Sequence, residues 1–318
     1  MTSFSMSNTT QFSTEKTKEK DAYGMKETIL ISGATGTLGS EVVKELSDES
    51  SKYSIRAAVH SIENAKKIDF PGVELVQIDY NKPDTLTKAF SGIDRLFLLT
   101  HPSQDTVEQE SNMVNEAKKV GVKHIVKQSV MGADDRNSKV ELMQLHRQVE
   151  KIVEESGISY TFLRPNEFMQ NFITFHGPVI KNNNAFYLPM ESAEVSIVDV
   201  RDIAAVAVKA LTQGNLENFE NKSFTITGPK ALSCEKIAEI LSAVTNKKIQ
   251  YINITNEEAR AGMKESGMND WLINTILELN EYYREGKASD ITPVIEGITG
   301  RSATTFDEFA KDYVDYFR

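Results

Sequence analysis

The chain has 318 residues, 40% of them hydrophobic and 26% charged, a soluble composition long enough for one large α/β unit or two smaller ones. Its net charge of −10 argues against the broad basic face that nucleic-acid binding needs, and no run of about 18 apolar residues offers a membrane span. One cysteine, Cys234, excludes internal disulfides and fits a reducing compartment, and five scattered histidines show no metal-ligand spacing, so no metal is expected.

Residues 1–24 are polar, rich in Ser, Thr and Lys, and lack a hydrophobic period, so they read as a disordered tail. The tail has no Arg, and Glu15, Glu19 and Asp21 interrupt its lysines. A mitochondrial presequence would be Arg-rich and acid-poor. A cytoplasmic protein with a loose tail is the expectation, with the nucleus left open.

The first ordered stretch, Thr28-Ile-Leu-Ile31, is β-branched and apolar, the pattern of a buried parallel strand. Gly33, Gly36 and Gly39 follow, with two residues between each, and then Val42, Val43 and Leu46 recur at helical spacing. Strand, glycine turn and helix together form the phosphate-binding start of a dinucleotide-binding βαβ unit. Gly33 permits the turn, Gly36 admits a pyrophosphate to the backbone, and Gly39 lets helix and strand pack closely. The segment Gly33-Ala34-Thr35-Gly36-Thr37-Leu38-Gly39 is therefore the primary cofactor-binding candidate, with the helix dipole and free N–H groups holding the anion.

A second strand is predicted over Ile55–Val59 and a third over Val73–Ile78, followed by a helix that starts in Asn81-Lys-Pro-Asp84 and carries Leu86, Ala89 and Phe90. The fourth strand is Arg95–Leu99 and a helix spans Thr106–Val120. The fifth strand, His124–Val126, runs on toward Ser129. A helix over Val140–Ser156 has Leu142, Leu145, Val149, Ile152 and Val153 on one face, and Tyr160–Leu163 is the sixth strand. Beyond Arg164-Pro165 the pattern is less regular: a helix over Asp199–Leu211, a strand over Ser223–Ile226, and a helix over Ser233–Val244 with Ser233 as N-cap. A strand over Ile249–Ile254 and helices near Asn256–Ser266, Asn269–Tyr283 and Thr305–Tyr316 complete the chain.

The alternation predicts an α/β fold, a doubly wound parallel Rossmann sheet with a smaller C-terminal α/β substrate domain. Residues 25–168 are the expected NAD(P)-binding domain and 169–318 the smaller one, with part of the chain returning to the sheet. Ligands of such sheets lie at the carboxyl ends of the strands. That places His60 and Ser61 at the end of the second strand, Asp79 and Tyr80 after the third, near adenine, and Leu99, Thr100 and His101 after the fourth, near the ribose. Asp79 equally suits a turn cap. No carboxylate ends the second strand to repel a 2′-phosphate, and Arg56 shares a strand face with His60, so NADP(H) is favoured over NAD(H). His60 and Ser61 read as plain loop residues are the alternative.

The ordered set Gly33–Gly39, Asp79-Tyr80, Ser156-Gly-Ile-Ser-Tyr-Thr-Phe-Leu-Arg-Pro165, Phe168-Met-Gln-Asn-Phe172, Val198-Asp-Val-Arg-Asp-Ile-Ala204, Thr227-Gly-Pro229 and Ile298-Thr-Gly-Arg301 resembles the NmrA-like family, an atypical branch of the short-chain dehydrogenase/reductases. The resemblance runs from about Lys26 to the C-terminus and is nearest the branch with dye and quinone reductases and an NADP redox sensor. It implies that Pro165, Asn166, Glu167 and Phe168 lie beside the nicotinamide, and that Ser129 matches the serine after the fifth strand. Arg164 reads alternatively as a structural ion-pair residue. Relatives often carry Arg where this chain has His60, and Glu63 lies nearby.

Typical members of the superfamily use a Tyr-x-x-x-Lys pair, in which Lys lowers the Tyr pKa. Here that spacing occurs only at Tyr283/Lys287, in the C-terminal portion, and reads as a helix-surface coincidence. On the expected helix His146 stands where isoflavone-type reductases have Lys, and Leu142 occupies the tyrosine position. His146 is the one catalytic candidate, as a weak acid; binding the cofactor ribose, or capping its surroundings, are its other roles. Cys234 opens a helix, where a thiol pKa can fall, but a lone Cys more often packs. The Met and Phe residues of Phe168–Phe175 line either a substrate slot or core.

The missing relay makes a redox sensor the first expectation: a dinucleotide would bind two shapes unequally and alter affinity for a protein partner. The alternative is an NAD(P)H-dependent reductase of quinones, azo compounds or cationic dyes, with a small aromatic acceptor. A scaffold with a vestigial site is a third reading, which the intact glycine turn speaks against. No nucleic-acid or membrane partner is expected.

Overall fold

The computed structural model describes residues 26–318; the tail expected over 1–24 lies outside the described residues. The chain runs β1 (Thr28–Ile31), α1 (Thr37–Ser47), β2 (Ser54–Val59), β3 (Val73–Gln77), α2 (Pro83–Phe90), β4 (Arg95–Leu98), α3 (Thr106–Val120), β5 (His124–Gln128), α4 (Glu141–Ser156) and β6 (Ser159–Pro165). It continues through α5 (Gly177–Asn183), β7 (Ala185–Leu188), β8 (Glu194–Val195), α6 (Val200–Thr212), β9 (Lys222–Ile226), β10 (Leu232–Ser233), α7 (Cys234–Thr245) and β11 (Gln250–Asn253). Last come α8 (Asn256–Glu265), α9 (Asp270–Arg284), α10 (Val294–Thr299) and α11 (Phe306–Asp312).

Seven strands form one sheet in the order β3-β2-β1-β4-β5-β6-β9, and every neighbouring pair is parallel. The order reverses between β1 and β4, which opens a crevice at their carboxyl ends. Ile29, Leu30 and Ile31 are fully buried, because helices cover both faces of a parallel sheet. On one face α1 presents Val42, Val43 and Leu46 to the same core as Ile203, Val206, Ala207 and Ala210 of α6. Small alanines in α6 allow this close helix pair. On the other face Leu86 and Phe90 of α2, Met113, Val114 and Ala117 of α3, and Val149 and Val153 of α4 pack together.

A further core joins the start of α4 to the C-terminal segments: Leu142 and Met143 meet Met169, Phe172, Phe186, Cys234, Tyr282, Tyr283, Phe306 and Phe317. Here β7 pairs parallel with β11 and β8 antiparallel with β10. Within residues 169–318, α6 and β9 belong to the layers of the large sheet.

Several helices begin one residue later than the hydrophobic pattern suggests, because a cap with extended backbone precedes each. Val140 (ψ 113°), Asp199 (ψ 132°), Asn269 (ψ 156°) and Thr305 (ψ 156°) all take this role. Ser233 is the N-cap of α7, its hydroxyl accepting from Lys236 N. The strands β7, β8 and β10 have four, two and two residues, too few to show a period, and α5 and α10 are similarly short.

A Cβ at Gly39 would stand 2.1 Å from the Gly33 carbonyl oxygen and 3.0 Å from Ala34 Cα, both backbone atoms. Gly39→Ala must therefore push α1 off the turn, and its unfolding free energy falls by about 1–3 kcal/mol, the usual cost of overpacking. Urea unfolding followed by circular dichroism measures it; an unchanged midpoint would refute this packing.

Candidate functional site

The glycine turn divides its work among the three glycines. Gly33 has φ +61°, and a Cβ there would lie 2.8 Å from Leu99 O, so conformation and space both demand glycine. At Gly36 an added Cβ would meet only Gly33 O, at 3.3 Å, and the residue is exposed. Gly36 is the N-cap of α1, with no side-chain cap and no acidic residue in the first turn. The first-turn N–H groups are thus left for an anion, and the cradle fits a dinucleotide pyrophosphate. Ala34 and Leu38 bury their side chains and offer only backbone, while Thr35 is half-buried and Thr37 exposed.

The rim residues are held by the chain itself. Exposed His60 accepts from Gln77 Nε2 through its carbonyl, and Ser61 beside it is half-buried. Asp79 takes the turn-cap alternative: its carboxylate accepts from Asn81 N at 3.1 Å and pairs with Lys82 at 2.8 Å. Hydrogen bonds from Lys82 and Asn81 hold that carboxyl below its usual range. The Tyr80 hydroxyl accepts from Gly33 N at 3.1 Å, tying the end of β3 to the glycine turn. Leu99 O accepts from Ser32 Oγ at 2.8 Å. Thr100 Oγ1 donates to Glu110, and exposed His101 contacts Pro102 O through Nδ1. Arg56 does not reach this rim: it pairs with Glu74 and donates to Ala89 O and Ser91 O at the end of α2.

Two buried charge networks underlie the crevice beside α4. In the first, Lys127 of β5 is fully buried and pairs with Glu110 of α3 at 2.9 Å. Its ammonium also donates to Gln128 O and lies 3.2 Å from His146 Nδ1. Burial, and then the Lys127 charge, hold His146 well below its ordinary pKa. Burial pushes Glu110 up, against the pull of Lys127 and Thr100. In the second, Ser129 Oγ donates to Glu150 at 2.7 Å, and Arg164 grips the same carboxylate through Nε (2.9 Å) and a terminal nitrogen (2.8 Å). Arg147 adds a third cationic contact at 2.9 Å. Burial raises the Glu150 pKa, but Arg164, Ser129 and Arg147 outweigh it, and the net shift is downward. The ion-pair reading of Arg164 is the one the structure bears out, with Asp134 as its second partner.

The segment after β6 is structural as well as marginal to the crevice. Pro165 O accepts from Met131 N, and the Asn166 amide donates to Ser196 Oγ and Ala288 O. Phe168 bridges to Val198. Glu167 is half-buried against Asn171 and Tyr283; burial raises its pKa and that of Tyr283.

Tyr283 is therefore no surface coincidence: it is buried and touches a residue expected beside the nicotinamide. Lys287, beyond the end of α9, stacks over the Tyr282 ring at 5.2 Å and pairs with Glu285, so the Tyr-x-x-x-Lys spacing makes no pair. Cys234 packs in the core, where burial raises its thiol pKa. Phe172 and Met169 are core, while Phe175 is exposed. Among the described residues no group of three or more His, Cys, Asp or Glu side chains forms a metal site, and no helix is long and apolar enough to cross a membrane.

Sequence reasoning did not single out Lys127 and Glu110. The signals were present: Lys127 interrupts an apolar strand at the middle of a parallel sheet, and Glu110 shares the helical face of Met113, Val114 and Ala117.

The sequence profile of the NmrA-like family matches residues 25–310. An NAD(P)H azoreductase from Xenophilus azovorans is 36% identical over 289 residues, covering 91% of this chain and 99% of that protein. The structure of Citrobacter sp. triphenylmethane reductase complexed with NADP(H) matches with a TM-score of 0.79 and 28% identity, covering 90% of this chain and 99% of the other. The NADPH complex of the quinone oxidoreductase QOR2 from Escherichia coli matches with a TM-score of 0.81 and 26% identity, covering 90% and 99%.

Gly36→Val leaves the fold intact, since its Cβ meets a single atom, Gly33 O at 3.3 Å, and the position is exposed; it abolishes dinucleotide binding in calorimetric titration. Undiminished affinity in the folded variant would remove the turn from the site. A second outcome concerns pH. The folded pKa of Glu150 is depressed, so its stabilisation is complete above the unfolded value of about 4.3 and is lost as pH falls through the folded one. Between about pH 5 and 3 the wild type loses more unfolding free energy than Glu150→Gln; parallel losses would contradict the network.

Proposed function

The chain belongs to the NmrA-like family, and on that premise we propose that it is an NADPH-dependent reductase of small aromatic acceptors of the quinone, azo or cationic-dye class. The observation that carries this reading is the pairing of an open dinucleotide cradle with an α4 face that lacks a phenol and holds a neutral imidazole. Acceptors of this class take a hydride with little proton help from a protein. Support comes from the reductase names of relatives that align over nearly their whole length. The missing relay pointed first to a sensor, and these relatives weigh toward the alternative.

Bound in the cradle, NADPH supplies the hydride. The chain holds the pyrophosphate through the free first-turn N–H groups of α1, Thr37 to Gly39, in a turn that Tyr80 braces by accepting the Gly33 N–H. His60 and Ser61 stand where a 2′-phosphate would meet donors rather than a carboxylate, which favours NADPH over NADH. His146 binds the ribose; being neutral, it does not deliver a proton, and the proton completing the reduction comes from water.

The test is oxidation of NADPH with a panel of a quinone, an azo dye and a cationic dye. At least one supports turnover. Binding without turnover on every acceptor would return the sensor to first place. His146→Ala weakens NADPH by about 0.5–3 kcal/mol while turnover at saturation persists; a loss of about 10²–10⁴-fold in the chemical step would make His146 an acid. His60→Asp lowers the NADPH/NADH affinity ratio, and an unchanged ratio would remove His60 from the 2′ position.

A further inference from the structure

We infer that Lys127 is a positioning residue: it fixes His146 as a neutral imidazole whose one N–H is at Nε2, a permanent hydrogen-bond donor for an acceptor oxygen such as a ribose hydroxyl. The inference follows from counting donors. An ammonium has three N–H bonds and accepts none. Around Lys127 Nζ stand three acceptors: the Glu110 carboxylate, with Oε1 at 3.2 Å and Oε2 at 2.9 Å, the Gln128 carbonyl, and His146 Nδ1 at 3.2 Å. The first two are acceptors only, so the remaining N–H goes to Nδ1. A nitrogen that accepts carries no proton, and the ring proton must sit on Nε2. Lys127 is fully buried, so water does not compete for these bonds.

The other groups near the ring leave this assignment standing. Glu110 reaches it only through Lys127, and its other bond comes from Thr100. Glu150, one turn further along α4, is taken by Arg164, Ser129 and Arg147. Leu142, one turn earlier, is apolar. Among the described residues no carboxylate is bonded to the imidazole to draw a second proton onto it, while a cation faces its Nδ1. The ring nitrogen left to meet a ligand is Nε2. The positive charge behind the imidazole is supplied from β5. The inference holds whatever the site reduces, since it concerns the protonation of the chain itself.

The test is long-range proton–nitrogen NMR of the imidazoles in the cofactor-free protein, with His146 assigned through His146→Asn. The expected wild-type result is bare Nδ1 and protonated Nε2, unchanged from about pH 8 down to 6, below the ordinary histidine value of about 6.5. A protonated Nδ1, or a doubly protonated ring at pH 6, would overturn the inference. Lys127→Met alone strands a buried carboxylate, so the informative variant is Lys127→Met with Glu110→Gln, which removes both charges together. In it the single tautomer gives way to a mixture, the titration midpoint rises, and NADPH affinity falls by about two- to tenfold. Retention of the same single tautomer and midpoint in the folded double variant would show that Lys127 does not set the ring, and would also overturn it.

Discussion

The close seat of α1 on the glycine turn is the constraint on which the crevice depends. With Gly39 so near the Gly33 carbonyl that no Cβ fits, the uncapped N-terminus of α1 is held at the carboxyl end of β1. The turn is fixed from two further sides: Tyr80 takes the Gly33 N–H, and Ser32 links β1 to Leu99. β3, β1 and the end of β4 are thereby locked around one short loop. Its exposed glycine, Gly36, is left as the place where a ligand comes nearest the backbone.

Beneath that edge the chain buries charge where many sheets bury aliphatic side chains. Isolated, such charges would cost several kcal/mol each; here each has a counter-charge and further hydrogen bonds. The two networks share α4, one turn apart, at His146 and Glu150. They clamp α4 to β5 and β6 through Lys127 and Arg164 respectively. The start of the same helix is set by α9, where Glu278 accepts from Glu141 N at 2.9 Å and Tyr282 and Tyr283 pack with Leu142 and Met143. The C-terminal segments thus fill with apolar core the face on which a relay phenol would stand.

The large sheet was legible because apolar strand runs alternate with longer, periodic helices: Ile29–Ile31, the glycine triplet and the α4 stripe each carry several independent signals. β11 was legible as a strand, but its partner β7 and the pair β8–β10 were not, because these short segments lie outside the βα alternation and are set by tertiary packing. Of the site, the glycine turn could be read because each glycine answers a local steric demand. The partners of His146 could not, since Lys127 is 19 residues away and Glu110 on another helix; only the sheet brings them together. At Tyr283 and Lys287 the four-residue spacing reads as a helix-surface coincidence, and no pair forms, since α9 ends between them; burial is the part that the spacing does not show, for Tyr283 turns inward to Glu167, more than a hundred residues earlier.

What these arrangements select is a matter of proton supply. A phenol lowered by a neighbouring lysine can give its proton at neutral pH, which suits carbonyls whose alkoxide must be neutralised as it forms. A buried imidazole faced by an ammonium cannot: its cationic form is opposed by burial and by the Lys127 charge, and its neutral form holds its last proton too tightly to release it. Such a group stabilises by hydrogen bonding alone. On the function proposed above, reduction at this face would be confined to acceptors whose product anion is already stabilised by delocalisation, or which are cations before the hydride arrives. Quinones and cationic dyes meet that condition by their own electronic structure, and an unactivated ketone does not.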